Sequence, residues 1–172
     1  ASAALRLSRL ATEHSSAHRR RPAQPHVHSH LPQYSRLHSR LPPATRGAAR
    51  SPTGLRLPVD GRTLRGFGSV DSSGVRSEGI VIRAQGGAQV VTPAPGRVAF
   101  AGPFRGYDRI VIIEHPGGWT SLVTGLARTD VKVGDTLDEG APLGVAPPEG
   151  GPVSFELRLG GRPSNPLDHL AR

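Results

Sequence analysis

The 172-residue sequence contains no cysteine and no methionine. Without cysteine the chain cannot form disulfides, thiolate zinc sites or iron–sulfur clusters, and it has no thiol nucleophile. Aromatic residues make up only 4% of the chain, and no apolar run approaches the roughly 20 residues that a membrane-spanning helix needs. The chain begins at Ala1 and lacks the continuous apolar segment of a signal peptide. We therefore expect it to be a fragment or a processed product.

Charge is distributed unevenly along the chain. Residues 1–60 carry ten arginines against one glutamate and one aspartate, and they hold six of the eight histidines. Their apolar residues follow neither a helical nor a strand period, which predicts a disordered basic linker over residues 1–56. An arginine-rich linker attracts polyanions without reading base sequence, so no specific nucleic-acid partner is expected. Its histidines lack the fixed geometry of a metal site.

The sequence from Leu57 onward has the pattern of an all-β domain. Twenty of the 22 glycines lie after residue 60, and short β-branched runs alternate with turn residues. The predicted strands are Gly79–Ala84, Ala88–Thr92, Gly96–Ala101, Arg109–Glu114, Trp119–Val123, Ala141–Val145 and Val153–Leu159. The continuously apolar run 110–113 predicts a central strand that is buried on both faces.

Few residues of this domain are suited to catalysis. Its two histidines are His115 and His169. His115 precedes a Pro-Gly-Gly turn, which predicts a histidine that hydrogen-bonds near the turn, whereas His169 is expected to face solvent. Ser72, Ser73 and Ser77 lack the surroundings of a nucleophilic serine. The residue inventory therefore favours a protein without catalytic, cofactor-binding or metal-binding residues.

Several motifs between Leu57 and Leu170 carry a family resemblance through their order and spacing. They are Leu57–Arg62, Phe67–Gly68, Gly79–Ile82, Pro93–Gly102, Gly106–His115, Val131–Asp135, Phe155–Arg158 and Asn165–Pro166. Together they resemble the LytM-type domain of the M23 metallopeptidase family, and in detail its murein hydrolase activator EnvC branch. The resemblance implies that residues 57–172 form a LytM/lysostaphin-type β domain, which is a duplicated hybrid motif similar to a barrel-sandwich.

The resemblance also locates the positions that bind zinc in active members of the family. Those members hold the ion with a histidine, an aspartate and the second histidine of a late His-x-His, and further histidines assist the bound water. In this sequence the three ligand positions hold Ser77, Val81 and Ser154, and the positions of the two assisting histidines hold Gly125 and Pro152. A catalytic zinc needs three protein ligands and an open position for water, so the resemblance implies a degenerate domain without peptidase chemistry.

The EnvC branch implies a function for such a degenerate domain. Its members are noncatalytic activators of periplasmic zinc amidases, the N-acetylmuramoyl-L-alanine amidases that act in cell-wall remodelling and daughter-cell separation. The resemblance therefore implies a location in the periplasm or cell envelope, and docking of the amidase in the vestigial groove. The expected partner-binding residues are Ser77, Glu78, Val81, Tyr107, Gly125, Ser154 and Arg158. Arg158 is expected to contact a partner carboxylate, and the alternative is an exposed strand arginine.

Three alternatives stay open at this point. The first is a zinc-dependent M23 endopeptidase that cleaves peptidoglycan, and the second is a passive peptidoglycan-binding domain. The third is a biotinyl or lipoyl carrier module, whose two halves resemble segments 94–98 and 131–140. The only lysine of the chain, Lys132, lies inside the second half rather than at the hairpin where such a module is modified. The sequence leaves the identity of the amidase and the oligomeric state undetermined.

Overall fold

The described structure covers Pro52 and residues 54–171 of the chain in a computed structural model. The linker predicted over residues 1–56 lies almost entirely outside the described residues and stays a prediction. Packed structure is present from Leu55, two residues before the predicted start of the domain. The Leu55 side chain is 1% exposed, and the residue forms a β-bridge with Leu170.

Residues 54–171 contain eleven strands and two short 3₁₀ turns. The strands are β1 (Gly61–Arg65), β2 (Ile80–Ala84), β3 (Gln89–Val91), β4 (Gly96–Pro103), β5 (Arg109–His115), β6 (Trp119–Leu126), β7 (Arg128–Thr129), β8 (Thr136–Leu137), β9 (Pro142–Val145), β10 (Gly151–Leu159) and β11 (Arg162–Ser164). The 3₁₀ turns are Pro116–Gly118 and Pro166–His169. The predicted all-β class is confirmed, and each of the seven predicted strands matches an observed one.

The strands form a large and a small antiparallel sheet. The large sheet has the order β1-β2-β10-β6-β5-β4-β8, with β11 also pairing β10, and the small sheet has the order β3-β9-β7. One edge of β10 pairs with β6. Its other edge pairs first with β2 and then with β11. Strand β10 therefore joins β2 and β6, which come from distant parts of the sequence.

The main core lies between the two sheets. Val153, Phe155 and Leu157 alternate along β10, and all three are fully buried. They belong to the same apolar cluster as Val90 of β3 and Leu143 of β9. Removing these side chains from water is the main force that holds the sheets together.

Strand β5 is buried on both faces, as the sequence predicts. Val111 and Ile113 belong to the main core. Ile110 and Ile112 form a second cluster with Leu122 on the opposite face of the large sheet. That second cluster is partly covered by the neighbouring side chains Ala99, Phe100, Phe104 and Tyr107.

Four strands were not predicted, namely β1, β7, β8 and β11. They are two to five residues long and mostly exposed, so their sequences carry no apolar alternation. Pairing with longer neighbours makes them extended. Within the described residues, no helix has the length and apolar character to cross a membrane.

Candidate functional site

The zinc-ligand positions of the family lie mainly on the face of the large sheet that points away from the main core. Ser154 of β10 is directly opposite Val81 of β2 on one side and Thr124 of β6 on the other. Directly opposed side chains share a face, and the neighbours Val153 and Phe155 point into the core. Val81, Ser154 and Thr124 therefore form a row across three strands. The surface that contains this row, together with Glu156 and Arg158 of β10, is called the outer face below.

Arg158 lies on the outer face, where it is held by two carboxylates. Its Nε and Nη2 donate to one oxygen of Glu156 at 3.1 and 2.8 Å, and Nη1 donates to the Gly161 carbonyl at 3.2 Å. Nη2 also forms an ion pair with Glu78. The Arg158 side chain is 12% exposed and that of Glu78 is 55% exposed. The group expected to meet a partner carboxylate is thus already paired with carboxylates of this chain.

Tyr107, in the β4–β5 connection, lies at the edge of the outer face. It packs against the second apolar cluster, and its ring centroid is 6.3 Å from that of Phe104. Its carbonyl accepts a hydrogen bond from the Gly125 amide at 3.4 Å. Burial, and secondarily the charge of Glu156, raise the pKa of the Tyr107 phenol. The structure therefore brings together Tyr107, Gly125 and Glu156.

Ser77 offers little surface to a partner. Its side chain is 4% exposed, and its hydroxyl donates to the Gly79 carbonyl at 2.9 Å. Its amide donates to the Ser69 carbonyl at 2.8 Å. These contacts fix the chain just before β2 enters the sheet, while the neighbouring Glu78 is the exposed residue of this segment. The expectation that Ser77 contacts a partner stays a prediction.

A short hairpin within residues 68–77 flanks the outer face, and sequence reasoning did not identify it. Asp71 Oδ1 accepts hydrogen bonds from the amide and hydroxyl of Ser73 and from the amide of Val75. Oδ2 pairs with Arg65, the cross-strand neighbour of Val81. These bonds, the Ser73 hydroxyl first, hold the pKa of the Asp71 carboxyl well below its usual range. The ion pair between Asp71 and Arg65 therefore holds the hairpin next to Val81, at one end of the row that Val81 forms with Ser154 and Thr124.

The residues at the family's ligand positions do not fit a zinc ion. Val81 has no side-chain donor atom, and the hydroxyls of Ser77 and Ser154 are poor zinc ligands. The positions of the two water-assisting histidines hold Gly125 and Pro152. Gly125 adopts a φ of +84°, and a Cβ there would lie 2.3 Å from the Pro152 carbonyl oxygen, so the backbone leaves no room for a side chain at that position. In residues 54–171, no three His, Asp or Glu side chains cluster in a way that would hold a metal ion.

His115 has a structural role, as the sequence predicts. Its Nδ1 donates to the Pro95 carbonyl at 2.7 Å, and its Nε2 accepts from the Ser121 hydroxyl at 2.7 Å. The side chain is buried, and this burial lowers the pKa of the imidazole. His115 is therefore a neutral histidine that joins the ends of two strands.

His169 was expected to face solvent, but it is only partly exposed. Its ring packs on Trp119 with a centroid separation of 4.8 Å, and its Nε2 hydrogen-bonds the Ser164 hydroxyl at 2.9 Å. His169 is the last residue of the 3₁₀ turn Pro166–His169, which is capped by the Asn165 side chain accepting from the Leu167 amide. The turn thus brings the histidine ring against the sheet.

The sequence profile of peptidase family M23 matches residues 75–166. The chain belongs to peptidase family M23. The matched range contains Ser77, Val81, Gly125, Pro152 and Ser154, and the LytM-like domain predicted from the motifs is confirmed.

Curated relatives carry this domain in longer chains. The murein hydrolase activator EnvC of Escherichia coli is 34% identical over 119 residues, which cover 67% of this chain and 28% of EnvC. The murein hydrolase activator NlpD of Salmonella dublin is 33% identical over 122 residues, which cover 67% of this chain and 31% of NlpD. This chain thus spans less than a third of the length of either relative.

A solved structure supports the fold. The catalytic domain of the antimicrobial peptidase lysostaphin from Staphylococcus simulans superposes with a TM-score of 0.55. The match is 18% identical and covers 62% of this chain and 90% of that domain. The predicted lysostaphin-type fold is confirmed, and at this identity the likeness concerns the fold alone.

Proposed function

We propose that this chain is a noncatalytic activator of a peptidoglycan amidase in the cell envelope, and that its outer face docks the enzyme. One observation carries the proposal. The outer face keeps the sheet of an M23 domain, and two positions that the resemblance assigns to zinc ligands hold Val81 and Ser154, which lie directly opposite each other. Without a metal-activated water, such a surface serves for binding rather than hydrolysis. The names of the relatives EnvC and NlpD, both murein hydrolase activators, support this choice.

The chemistry of the outer face suits a protein segment. The partly buried Phe100, Phe104 and Tyr107, which pack on the second apolar cluster, keep apolar area whose burial gains about 25 cal/mol for each Å². The charged group of Glu78, Glu156 and Arg158 lies beside it and favours a partner with matching charges. Activation also requires that the active state of the amidase binds more tightly than the inactive one, because only differential affinity shifts an equilibrium.

Arg158 is suited to exchange one of its partners during docking. Exposed ion pairs contribute only about 0 to 1 kcal/mol, so the exposed Glu78 is readily displaced by a carboxylate of the amidase. Glu156, which is 23% exposed, would keep the guanidinium oriented during the exchange. This exchange reconciles the internal pairing of Arg158 with its expected role in docking.

Dye release from labelled sacculi tests the proposal. The full chain, a zinc amidase of the same organism and their mixture are compared, and release is expected only in the mixture. Arg158→Glu should reduce release at least tenfold, because a charged hydrogen-bonding pair is lost and a repulsion added. Lys132→Glu is the matched control, since it makes the same charge change at an exposed position before β8, at the opposite edge of the sheet from β1.

Two other outcomes would overturn the proposal. Release by the chain alone that a chelator abolishes would show a surviving peptidase. No release in the mixture, with the chain sedimenting on sacculi, would show passive peptidoglycan binding.

A further inference from the structure

Two arginines face each other across the first two strands of the large sheet. Arg62 of β1 is the direct cross-strand partner of Arg83 of β2, and both side chains are exposed. In residues 54–171, neither guanidinium forms an ion pair. Like charges placed directly opposite each other destabilise an antiparallel pair. The arrangement therefore weakens the free sheet and would be relieved by an anion between the two side chains.

The two arginines line a cleft of about 400 Å³. The other walls come from the turns at residues 86–87 and 148–149 and from the start of β10. The turns meet backbone to backbone, because a Cβ on Gly86 would lie 2.1 Å from the Pro148 carbonyl oxygen. The acidic residue of the lining, Glu149, is exposed. The cleft is thus preformed and carries an excess of positive charge.

The cleft is continuous with the outer face. Arg83 follows Val81 by two residues on β2, so both side chains point to the same side of the sheet. Arg83 is also directly opposite Pro152, which stands at the first histidine of the family's late His-x-His pair. Glu156 lies four residues further along β10, about 13 Å away. The outer face therefore has an arginine pair at one end and the Glu78, Glu156 and Arg158 group at the other.

We propose that Arg62 and Arg83 together bind an acidic side chain of the protein that docks on the outer face. The inference rests on the proposed function and adds an anchor that lies outside the predicted site residues. Each guanidinium can direct two N–H groups at a carboxylate, and a shared negative charge removes the repulsion between the arginines. The repulsion between Arg62 and Arg83 thus lowers the stability of the free chain, and their shared carboxylate strengthens the complex.

This double role gives opposite signs for stability and affinity. Arg62→Gln or Arg83→Gln should raise the Tm of the free chain by roughly 1 to 4 °C, because a like-charge pair disappears. Either change should weaken amidase binding roughly 10-fold to 100-fold, the usual effect of losing a hydrogen bond to a charged group. The fold-loss of affinity in the double variant should be smaller than the product of the two single fold-losses, because both arginines hold one carboxylate.

The test measures calorimetric binding of the full 172-residue chain to a zinc amidase of the same organism, together with thermal melts of the free variants. Lys132→Gln is the control, because it removes one exposed charge away from the cleft. We expect wild-type affinity for this control, weaker binding for the arginine variants, and a higher Tm for the arginine variants alone.

Each contrary result has a distinct meaning. Unchanged affinity in the double variant, with a wild-type chain that binds the amidase, overturns the arginine site and leaves the proposed function intact. A Tm that falls together with affinity indicates a structural role and also overturns the site. Loss of sacculus binding with unchanged amidase binding would assign the carboxylate to peptidoglycan and overturn the assignment to a protein.

Failure of the wild-type chain to bind the amidase would instead count against the proposed function. The site is then judged by titrating succinate into the chain and following the arginine Nε–H signals by NMR. Saturable shifts at Arg62 and Arg83 that Lys132→Gln retains would support a carboxylate site. Their absence would overturn it.

Discussion

The two faces of β10 differ in how strictly packing limits the side chains that each can carry. Val153, Phe155 and Leu157 are fully buried in the main core, whereas the alternate residues Ser154 and Glu156 lie on the outer face. The inward residues are constrained by packing, since protein cores tolerate few changes in shape. The outward residues are free to change chemistry without loss of the sheet. This difference explains how an M23 domain keeps its fold after its zinc ligands are gone.

The largest expected effect concerns the inward face. Phe155→Ala should lower the free energy of unfolding by about 3 to 5 kcal/mol, because it opens a cavity in a fully buried site. Ser154→Ala, one residue away on the outer face, should change it by less than about 0.5 kcal/mol. Urea denaturation of both variants measures the contrast. Equal effects on the two faces would contradict the division of roles.

A second prediction concerns Gly125, which stands at one of the family's water-assisting histidines. Gly125→Ala should cost about 1 to 3 kcal/mol of stability, because it strains the backbone and places a Cβ against Pro152. Gly74→Ala is a close control, since Gly74 has the same φ of +84° but no atom within 4 Å of the place where a Cβ would lie. A smaller loss for Gly74→Ala, measured by urea denaturation, would isolate the contact with Pro152. Wild-type stability of Gly125→Ala would refute the lack of space.

The buried polar pair of His115 and Ser121 predicts a pH dependence. Burial holds the folded-state pKa of His115 below its ordinary value of 6.5, so the unfolded chain takes up the proton first as the pH falls. This contribution to stability should be fully present above about pH 6.5 and should decrease below it. The free energy of unfolding of the wild type should therefore fall more steeply between about pH 7 and pH 5 than that of His115→Gln. If the free energies of unfolding of the two proteins change in parallel with pH, other histidines cause the pH dependence.

The smallest effect on stability is expected on the outer face. Glu78→Gln should change the free energy of unfolding by less than about 0.5 kcal/mol, because the Glu78 side chain is 55% exposed. If a partner carboxylate replaces Glu78, the same change should raise amidase activation severalfold in the dye-release assay. Asp138→Asn is a control for the loss of one exposed negative charge, because Asp138 does not line the cleft of Arg62 and Arg83. Reduced activation by Glu78→Gln alone would mean that Glu78 itself contacts the partner.

Much of the fold was predictable because strand-forming residues produce a local pattern. The alternation in β10 and the continuous apolar run in β5 carry enough information to place both strands correctly. The short strand β1 carries none, because its extended form depends on pairing with β2. The partial cover of His169 was missed for the same reason, since it depends on Trp119, which lies far earlier in the chain.

The candidate site was predictable only as a set of positions. The motif order places Val81 and Ser154 at ligand positions, and the structure puts them side by side. The pairing of Arg158 with Glu78 followed from no sequence signal, because Glu78 lies 80 residues away. Whether an arginine is available to a partner depends on such distant neighbours.

The sequence by itself determined the family and the all-β class, because both depend on residue types at fixed spacings. The tertiary structure alone decided which charges meet. It pairs Arg158 with Glu78 and Glu156, and it sets Arg62 against Arg83 across two adjacent strands. Electrostatic interactions depend on distance in space and on exposure to water, and the fold fixes both.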